Sequence, residues 1–215
     1  MSSTPTIECR PNGPYLVKNL ENLQDASGGA IPIKPTTKPG MALCRCGGSA
    51  NKPFCDGTHQ KIGFSGDRQV DGSTDRRDDY RGKKIIIHDN RAICAHAGRC
   101  TDGLASVFKY GSEPWIDPDG ADVEAIVEAI RSCPSGALSY SIDGREHRVQ
   151  GRDPAIAVTK DGPYAVVGSV QLIDQPWGAG AATETYTLCR CGGSKNKPFC
   201  DGTHWSIGFK DEGNS

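Results

Sequence analysis

The residues most capable of chemistry are cysteines and histidines that occur twice at one spacing. Residues 43–64 read LCRCGGSANKPFCDGTHQKIGF, and residues 188–209 read LCRCGGSKNKPFCDGTHWSIGF. Three thiolates and one imidazole make a four-ligand set for zinc, copper or an iron-sulfur cluster. The spacing alone does not separate structural zinc from iron-sulfur. The candidate ligands, each set arranged as Cys-x1-Cys-x8-Cys-x3-His, are Cys44, Cys46, Cys55 and His59, and then Cys189, Cys191, Cys200 and His204.

The repeated unit is longer than its metal-binding segment. Residues 13–25 read GPYLVKNLENLQD and are similar to residues 162–174, which read GPYAVVGSVQLID. The unit therefore covers about residues 6–65 and 155–210. Such a unit is too small to close a core alone, so we expect the two copies to pack their open faces together with pseudo-twofold symmetry. This predicts a monomer that contains an intrachain pseudo-dimer.

Local patterns predict the elements that position the candidate ligands. Asp56 and Asp201 are good N-cap residues, which predicts a short helix that carries the histidine one turn beyond the cysteine. The helix dipole is expected to favour the thiolate of Cys55 and Cys200. Glycines after the second cysteine are expected to let the backbone approach a cluster and donate N–H groups to its sulfurs. Strands are predicted to begin near Tyr15 and Tyr164, at Leu43 and Leu188, and at Ile62 and Ile207.

A different pattern lies between the two copies. A strand is predicted over residues 84–88, with a turn at Asp89-Asn90 and a second strand through Ile93. The stretch DGADVEAIVEAIRS, which begins at residue 119, has apolar residues at helical spacing, and residues 137–142 read as a strand. The order of strand, cysteine loop, helix, Cys-Pro and strand fits half of a bacterial ferredoxin.

This middle segment supplies a third set of candidate ligands, Cys94, Cys100 and Cys133. In the usual Cys-x2-Cys-x2-Cys loop the central cysteine would fall on Ala97. Three thiolates suit a [3Fe-4S] cluster, which is the assignment that we favour. A [4Fe-4S] cluster would need a fourth donor, for which His96 is the nearest candidate although it is one residue from the expected position.

Composition restricts the size of the domains, the kinds of partner and the cellular compartment that we expect for this protein. The chain has 215 residues with 27 Gly, 14 Pro and 10 Cys, and only 36% of its residues are apolar, so we expect small domains in which the metal supplies much of the folding free energy. A net charge of −1 gives no argument for a nucleic-acid or membrane partner. No apolar run approaches the roughly 20 residues of a membrane span, and the N-terminus has no signal-peptide pattern. A cytoplasmic, reducing setting is expected, in which cysteines serve as metal ligands; Cys9 alone is left over.

The segments LCRCGGSANKPFCDGTH and LCRCGGSKNKPFCDGTH resemble the CDGSH iron-sulfur (NEET, mitoNEET-like) family, with Thr in place of the Ser of its motif. The resemblance implies one [2Fe-2S] cluster bound by three Cys and one His in each copy, inside a β-cap built from two motifs. It also favours iron-sulfur over zinc. CAHAGRC and CPSGALSY resemble a divergent single-cluster ferredoxin domain. The implied cofactors are two [2Fe-2S] clusters and one [3Fe-4S] or [4Fe-4S] cluster.

The predicted fold class is α+β. Two small β-rich CDGSH modules, at residues 1–65 and 151–215, pair into a pseudo-twofold β-cap. A linker at residues 66–74 leads to a ferredoxin-like α+β domain at residues 75–150.

The predicted function is electron transfer, with a reductase or an electron acceptor as partner. The alternatives are storage and transfer of clusters to apo-iron-sulfur proteins, or redox sensing. No Ser-His-Asp pattern, phosphate loop or paired-carboxylate pocket is apparent, so the sequence gives no reason to expect an enzyme.

Overall fold

The computed structural model describes residues 4–33, 40–148, 151–175 and 177–211. Short strands dominate, and the helices are few and short. In chain order the elements are β1 (Thr6–Cys9), β2 (Tyr15–Lys18), β3 (Leu23–Gln24), β4 (Met41–Leu43), α1 (Thr58–Lys61), β5 (Arg77–Arg81), β6 (Ile86–Asn90), α2 (Arg99–Gly103), α3 (Val123–Arg131), β7 (Leu138–Ile142), β8 (Arg145–His147), β9 (Ala155–Val158), β10 (Tyr164–Val167), β11 (Gln171–Ile173), β12 (Thr185–Leu188) and α4 (Thr203–Ser206).

Two four-stranded sheets form the cap, and each contains a strand from the other copy of the repeat. The first sheet has the order β11-β1-β2-β4, and the second has the order β12-β10-β9-β3. β1 pairs with β11 in parallel, with Thr6 opposite Gln171, and β3 pairs with β9 in parallel, with Leu23 opposite Ile156. The two modules are therefore intertwined by strand exchange, which gives the predicted pseudo-twofold cap.

Alternation along these strands builds one shared core. In β2 the side chains of Tyr15 and Val17 point inwards, whereas Leu16 and Lys18 are partly exposed. The inward residues of both modules join a single apolar cluster. Because each sheet lends a strand to the other, neither module has a core of its own. The cluster includes Ile7, Val17, Leu23, Leu43, Ile156, Val166, Leu172 and Leu188.

The middle domain is an antiparallel sheet, β5-β6-β7-β8, packed against α3. Apolar residues at helical spacing explain this packing, since Ile126 and Ile130 are fully buried against Ile87 of β6. Glu124 in the first turn and Arg131 in the last turn complement the helix dipole. The predicted order of strand, cysteine loop, helix, Cys-Pro and strand is present.

The middle domain also packs on the cap. Ile93 and Ala137 contribute to the apolar core of the cap. Gly136, with φ 63°, brings its Cα so close to β12 that an added Cβ would lie 2.5 Å from the carbonyl oxygen of Thr185. Asn90 Nδ2 donates to the carbonyl oxygen of Ala179 at 3.1 Å. The inserted domain is therefore seated on the second module.

Several predicted strands of the cap are wrong. The strands before the ligand loops end at Leu43 and Leu188 rather than beginning there, because the backbone leaves the sheet to enclose the loop. No strand begins at Ile62 or Ile207. There the chain turns back on α1 and α4, with Phe64 N donating to the carbonyl oxygen of His59. β1 and β9, which were not predicted, supply inner strands of the sheets.

In the middle domain the predicted strand at residues 84–88 is shifted, and the strand through Ile93 is absent. β6 continues through Asp89 and Asn90, where a turn was predicted, because Asp89 pairs with Leu138 and Asn90 N donates to the carbonyl oxygen of Ala137. Residues Arg91–Ile93 then form one 3₁₀ turn that leads directly into Cys94. Tertiary pairing with β7 thus overrides the local turn preference of Asp-Asn.

The α+β fold class is confirmed, with mostly strands and few helices. Among the described ranges no helix has the length and apolar character required to cross a membrane.

Candidate metal centre

The candidate ligands of the first CDGSH-like loop lie together in two pairs. Cys44 Sγ and Cys46 Sγ are 3.8 Å apart, and Cys55 Sγ lies 3.4 Å from His59 Nδ1. Two sulfurs on one tetrahedral metal at about 2.3 Å are about 3.8 Å apart, and a sulfur and a nitrogen are about 3.5 Å apart. Each pair therefore has the spacing that suits one metal atom.

The second loop repeats this arrangement. Cys189 Sγ and Cys191 Sγ are 3.8 Å apart, and Cys200 Sγ lies 3.4 Å from His204 Nδ1. Within the described ranges, no three His, Cys, Asp or Glu side chains converge closely enough to hold a single ion. Soft donors in two adjacent pairs fit a two-metal group such as an iron-sulfur cluster.

Hydrogen bonds fix the loop that carries the first ligand set. Cys44 N donates to the carbonyl oxygen of Pro53, and Ser49 Oγ donates to the carbonyl oxygen of Phe54. Asp56 accepts from the backbone N–H groups of Ala50 and Thr58, each at 2.9 Å. Because the bonds of Asp201 to Lys195 N and Thr203 N are equivalent, the two loops have one conformation.

The predicted short helices are present, with His59 and His204 at their second residues. The N-cap position is occupied by Gly57 or Gly202 in the left-handed region rather than by the aspartate. The carboxylate still accepts the first helical N–H group.

The glycines after the second cysteine serve different purposes. Gly193 N donates to Cys191 Sγ at 3.4 Å, as predicted. Gly47, with φ 76°, instead lies against the other module, where an added Cβ would be 2.6 Å from the carbonyl oxygen of Cys191; Gly192 meets Cys46 in the same way. Since Cys46 and Cys191 form a β-bridge, the two ligand loops touch at the pseudo-twofold axis.

Two arginines beside the sites were not among the predicted site residues, although each recurs at the same position in both copies. Arg45 and Arg190 lie between the paired cysteines and are buried. The Arg45 guanidinium lies 5.3 Å from the ring centroid of Tyr15, and Arg190 lies 5.7 Å from that of Tyr164. Arg190 also forms an ion pair with buried Asp211. These side chains fill the space behind the ligand loops.

Burial decides the charge state of most candidate thiols without metal. Burial raises the pKa of Cys200 to about 12 and raises the pKa of Cys55 above its usual value. Backbone N–H groups of Gly57 and Gly202 at the helix N-termini do favour the thiolates, but without metal the cost of desolvation is larger and the thiol form prevails. Burial also lowers the pKa of His204, so the imidazole is held neutral. Thiols of raised pKa must release protons when they bind a metal.

The third candidate set lines one cavity of about 590 Å³ in the middle domain. Cys94, Cys100 and Cys133 all contribute to its wall, and Cys133 Sγ lies 3.6 Å from Ser135 Oγ. Burial raises the pKa of Cys94 to about 12. Three thiols around one cavity fit the donor set of an iron-sulfur cluster.

His96 and Ala97 lie on the same cavity wall, and both are exposed. His96 adopts φ 50°, which turns the loop towards the second module. A third residue on this wall is Asp89, for which the sequence predicted only a place in a turn. It is 3% exposed, and its Oδ1 has no hydrogen-bond partner within the described part of the chain. Its Oδ2 pairs with Arg91 at 3.1 Å.

The middle cysteine loop touches the second ligand loop. An added Cβ on Gly202 would lie 3.0 Å from His96 Cβ and 3.4 Å from the carbonyl oxygen of Ala95. Asn196 Nδ2 donates to the carbonyl oxygen of Ala92. Negative charge on Cys94 raises the pKa of the Cys200 thiol, so these two thiols are close enough to interact electrostatically.

Comparison with known proteins agrees with this arrangement. The family model described as "Iron-binding zinc finger CDGSH type" matches residues 12–60 and 161–205, and the model "Divergent 4Fe-4S mono-cluster" matches residues 80–143. The chain is 48% identical over 61 residues to "Uncharacterized protein YjdI" of Escherichia coli K12, and equally to that of strain O157:H7. Each alignment spans 28% of this chain and 80% of the relative. No solved structure gives a significant match.

The paired donors, the third cysteine cavity and these matches lead to one conclusion. The chain belongs to the CDGSH-type iron-binding family and carries a divergent 4Fe-4S mono-cluster domain between two CDGSH regions.

Proposed function

We propose that this protein is an electron carrier rather than an enzyme, with two [2Fe-2S] clusters and one [3Fe-4S] or [4Fe-4S] cluster. The ligands would be Cys44, Cys46, Cys55 and His59 for the first CDGSH site, and Cys189, Cys191, Cys200 and His204 for the second. Cys94, Cys100 and Cys133 would hold the third cluster, with His96 as a candidate fourth ligand. When bound, such clusters accept and donate single electrons.

The observation that carries this proposal is the contact between the second CDGSH loop and the middle cysteine loop. Gly202 has no side chain, so His96 and Ala95 pack directly against the backbone between Cys200 and His204. A storage protein has no need to bring two different cluster sites into contact, whereas an electron carrier gains from it. The two-and-two pairing of donors further supports a binuclear group in each CDGSH site.

Residues in and behind the ligand loops would also set the reduction potentials of the CDGSH clusters. Imidazole is neutral where thiolate is anionic, so His59 and His204 would make each CDGSH cluster less negative and raise its reduction potential relative to four cysteines. Buried Arg45 places positive charge behind the first loop, which acts in the same direction there, whereas the charge of Arg190 is paired with Asp211. We further propose a cytoplasmic monomer that exchanges electrons with a separate redox protein.

The decisive experiment is EPR spectroscopy with iron and acid-labile sulfide analysis on anaerobically purified protein. We expect reduced [2Fe-2S] signals and, for a three-cysteine middle site, an oxidised [3Fe-4S] signal with about seven irons per chain. About eight irons with no signal before reduction would indicate [4Fe-4S] in the middle domain. A colourless protein loaded with zinc would refute the proposal.

A second candidate function is transfer of a cluster to apo-proteins. It is favoured by one observation, namely that His59 at the first site is only half-buried and could be displaced from outside. The test is whether an apo-ferredoxin acquires a cluster from this protein faster than the protein loses it alone. Equal rates would exclude direct transfer.

A further inference from the structure

The two ligand loops provide an internal comparison, because nearly the same sequence occupies two different environments. Residues 43–64 and 188–209 differ at three positions only. Asn196, Cys200 and His204 of the second loop are buried, at 7%, 3% and 4% exposure. In the first loop the equivalent Asn51 is exposed, and the equivalent Cys55 and His59 are half-buried. The difference must therefore come from what covers each loop.

The second loop is covered by the inserted middle domain and the segment that leads to it. Besides the bond from Asn196 Nδ2 to the carbonyl oxygen of Ala92, Asn196 Oδ1 accepts from Arg68 Nε at 2.8 Å. Gln69 N donates to the carbonyl oxygen of Lys195 at 2.7 Å. The beginning of the middle cysteine loop, Ala95 and His96, then packs on Gly202. We call the surface formed by Asn196, Gly202 and His204 the covered face.

The same three positions of the first loop form a surface that we call the open face, made of Asn51, Gly57 and His59. An added Cβ on Gly57 would meet no described residue within 4 Å. The backbone has the same conformation in the open face and the covered face, since φ is 88° at Gly57 and 83° at Gly202. The open face thus has the same shape and the same amide group as a surface that demonstrably accepts a cysteine loop.

We propose that the open face is the docking site for a separate ferredoxin-type protein, whose cysteine loop binds there as residues 92–96 bind the covered face. The chemistry of recognition follows from the internal contact. The amide of Asn51 would donate to a backbone carbonyl oxygen and accept from a guanidinium group. Gly57, lacking a side chain, would admit a bulky side chain in the position that His96 takes on Gly202. This proposal rests on the proposed function.

Binding can be measured by calorimetric titration of an oxidised bacterial-type [4Fe-4S] ferredoxin into the full-length, cluster-loaded protein. We expect one ferredoxin per chain, and we expect Asn51→Arg to weaken binding at least tenfold by obstructing the open face. Gln60→Arg is the matched control, with the same charge change on the same ligand loop. Its counterpart Trp205 remains 65% exposed, so this position lies outside the contact, and binding should change less than twofold.

A second variant tests the docking site even if Asn51→Arg disturbs the fold of the ligand loop. Asn51 contributes only backbone atoms to the bonds of its loop, with its N–H donating to Ser49 Oγ and its carbonyl oxygen accepting from Phe54 N, so the visible spectrum should be unchanged. If Asn51→Arg nevertheless loses the cluster, Asn51→Ala removes the amide without added bulk and should weaken binding by a smaller factor of three or more.

Two results would overturn the docking proposal: no binding of the ferredoxin to the parent protein, or equal effects of Asn51→Arg and Gln60→Arg. Because both proteins are oxidised, the titration does not depend on electron transfer. Normal docking without subsequent electron exchange would therefore refute the proposed function alone. Electron exchange that persists with unchanged binding in Asn51→Arg would refute the docking site alone.

Discussion

Tyr15 Oη donates to the carbonyl oxygen of Cys189 at 2.9 Å, across the pseudo-twofold axis. The counterpart bond runs from Tyr164 Oη to the carbonyl oxygen of Cys44, also at 2.9 Å. The two rings meet edge to face, with centroids 6.0 Å apart. Each ligand loop is thus held by a side chain from the opposite module.

Replacing either tyrosine should destabilise the whole cap. Tyr15 Oη also bonds the carbonyl oxygen of Pro198, so Tyr15→Phe leaves two buried acceptors without this donor. We expect a loss of about 1–3 kcal/mol in the free energy of unfolding, and a similar loss for Tyr164→Phe. Urea titrations followed by fluorescence measure the free energy of unfolding of both variants. Tyr110→Phe, at a side chain that is 93% exposed, is the control and should match the parent.

Two alanine substitutions at equivalent glycines should have different effects on the middle site. Gly57→Ala and Gly202→Ala both place a Cβ in the left-handed region, at a shared cost of about 1–2 kcal/mol. Only Gly202→Ala also pushes a methyl group against His96. We expect EPR spectra of the middle cluster to change in Gly202→Ala and not in Gly57→Ala. The same spectrum in both variants would contradict the described contact.

The histidine ligands should set the potentials of the CDGSH sites. His59→Cys together with His204→Cys adds two anionic ligands, so we expect lower [2Fe-2S] potentials and a flatter dependence on pH. Redox titration followed by visible absorbance at several pH values gives both quantities. Potentials that stay unchanged would mean that the ligand assignment is wrong.

Cys9 should be an inert thiol. Burial raises its pKa to about 11, so on the order of one thiol in a thousand is ionised at pH 8. We expect slow alkylation by iodoacetamide in the folded protein, measured by mass spectrometry against the urea-unfolded chain. Cys9→Ala should retain the iron content of the parent. Rapid labelling of folded protein, or lost iron, would indicate a functional thiol instead.

Asp89 should make stability depend on pH. Burial raises its pKa from 3.8 to about 6, so the folded state disfavours the charged carboxylate and stability falls as the pH rises from 4 through 6. Asp89→Asn does not ionise, so its stability relative to the parent should improve with pH, by at most about 3 kcal/mol. Urea midpoints at pH 5 and pH 7.5 test this. Ser106→Ala, at an exposed side chain that does not ionise, is the control, and its difference from the parent should not change between the two pH values.

The sequence predicted those features that depend on local pattern or on repetition. The spacing of Cys44, Cys46, Cys55 and His59 is read directly, and the structure brings these donors together. The apolar spacing around Ile126 predicted α3 correctly. Repetition of the unit predicted the pseudo-twofold cap, because two open faces of equal shape can cover each other.

Features that depend on distant pairing were beyond local reasoning. β3 has only two residues and β11 only three, and neither carries a signal that its partner lies in the other copy. Asn51 and Asn196 lie in almost identical segments, so no sequence pattern could predict that one is exposed and the other buried. That difference arises because the inserted domain is seated on one side of a symmetric cap.

The exchange of β3 and β11 also bears on how the protein is made. During synthesis, β1, β2 and β4 leave the ribosome before residues 171–173, so the first sheet lacks its fourth strand while the middle domain is translated. Tyr164, which holds the first ligand loop, is likewise made later. Completion of the first CDGSH site must therefore wait for the second repeat, and any assembly factor would meet both sites at the same stage of biogenesis.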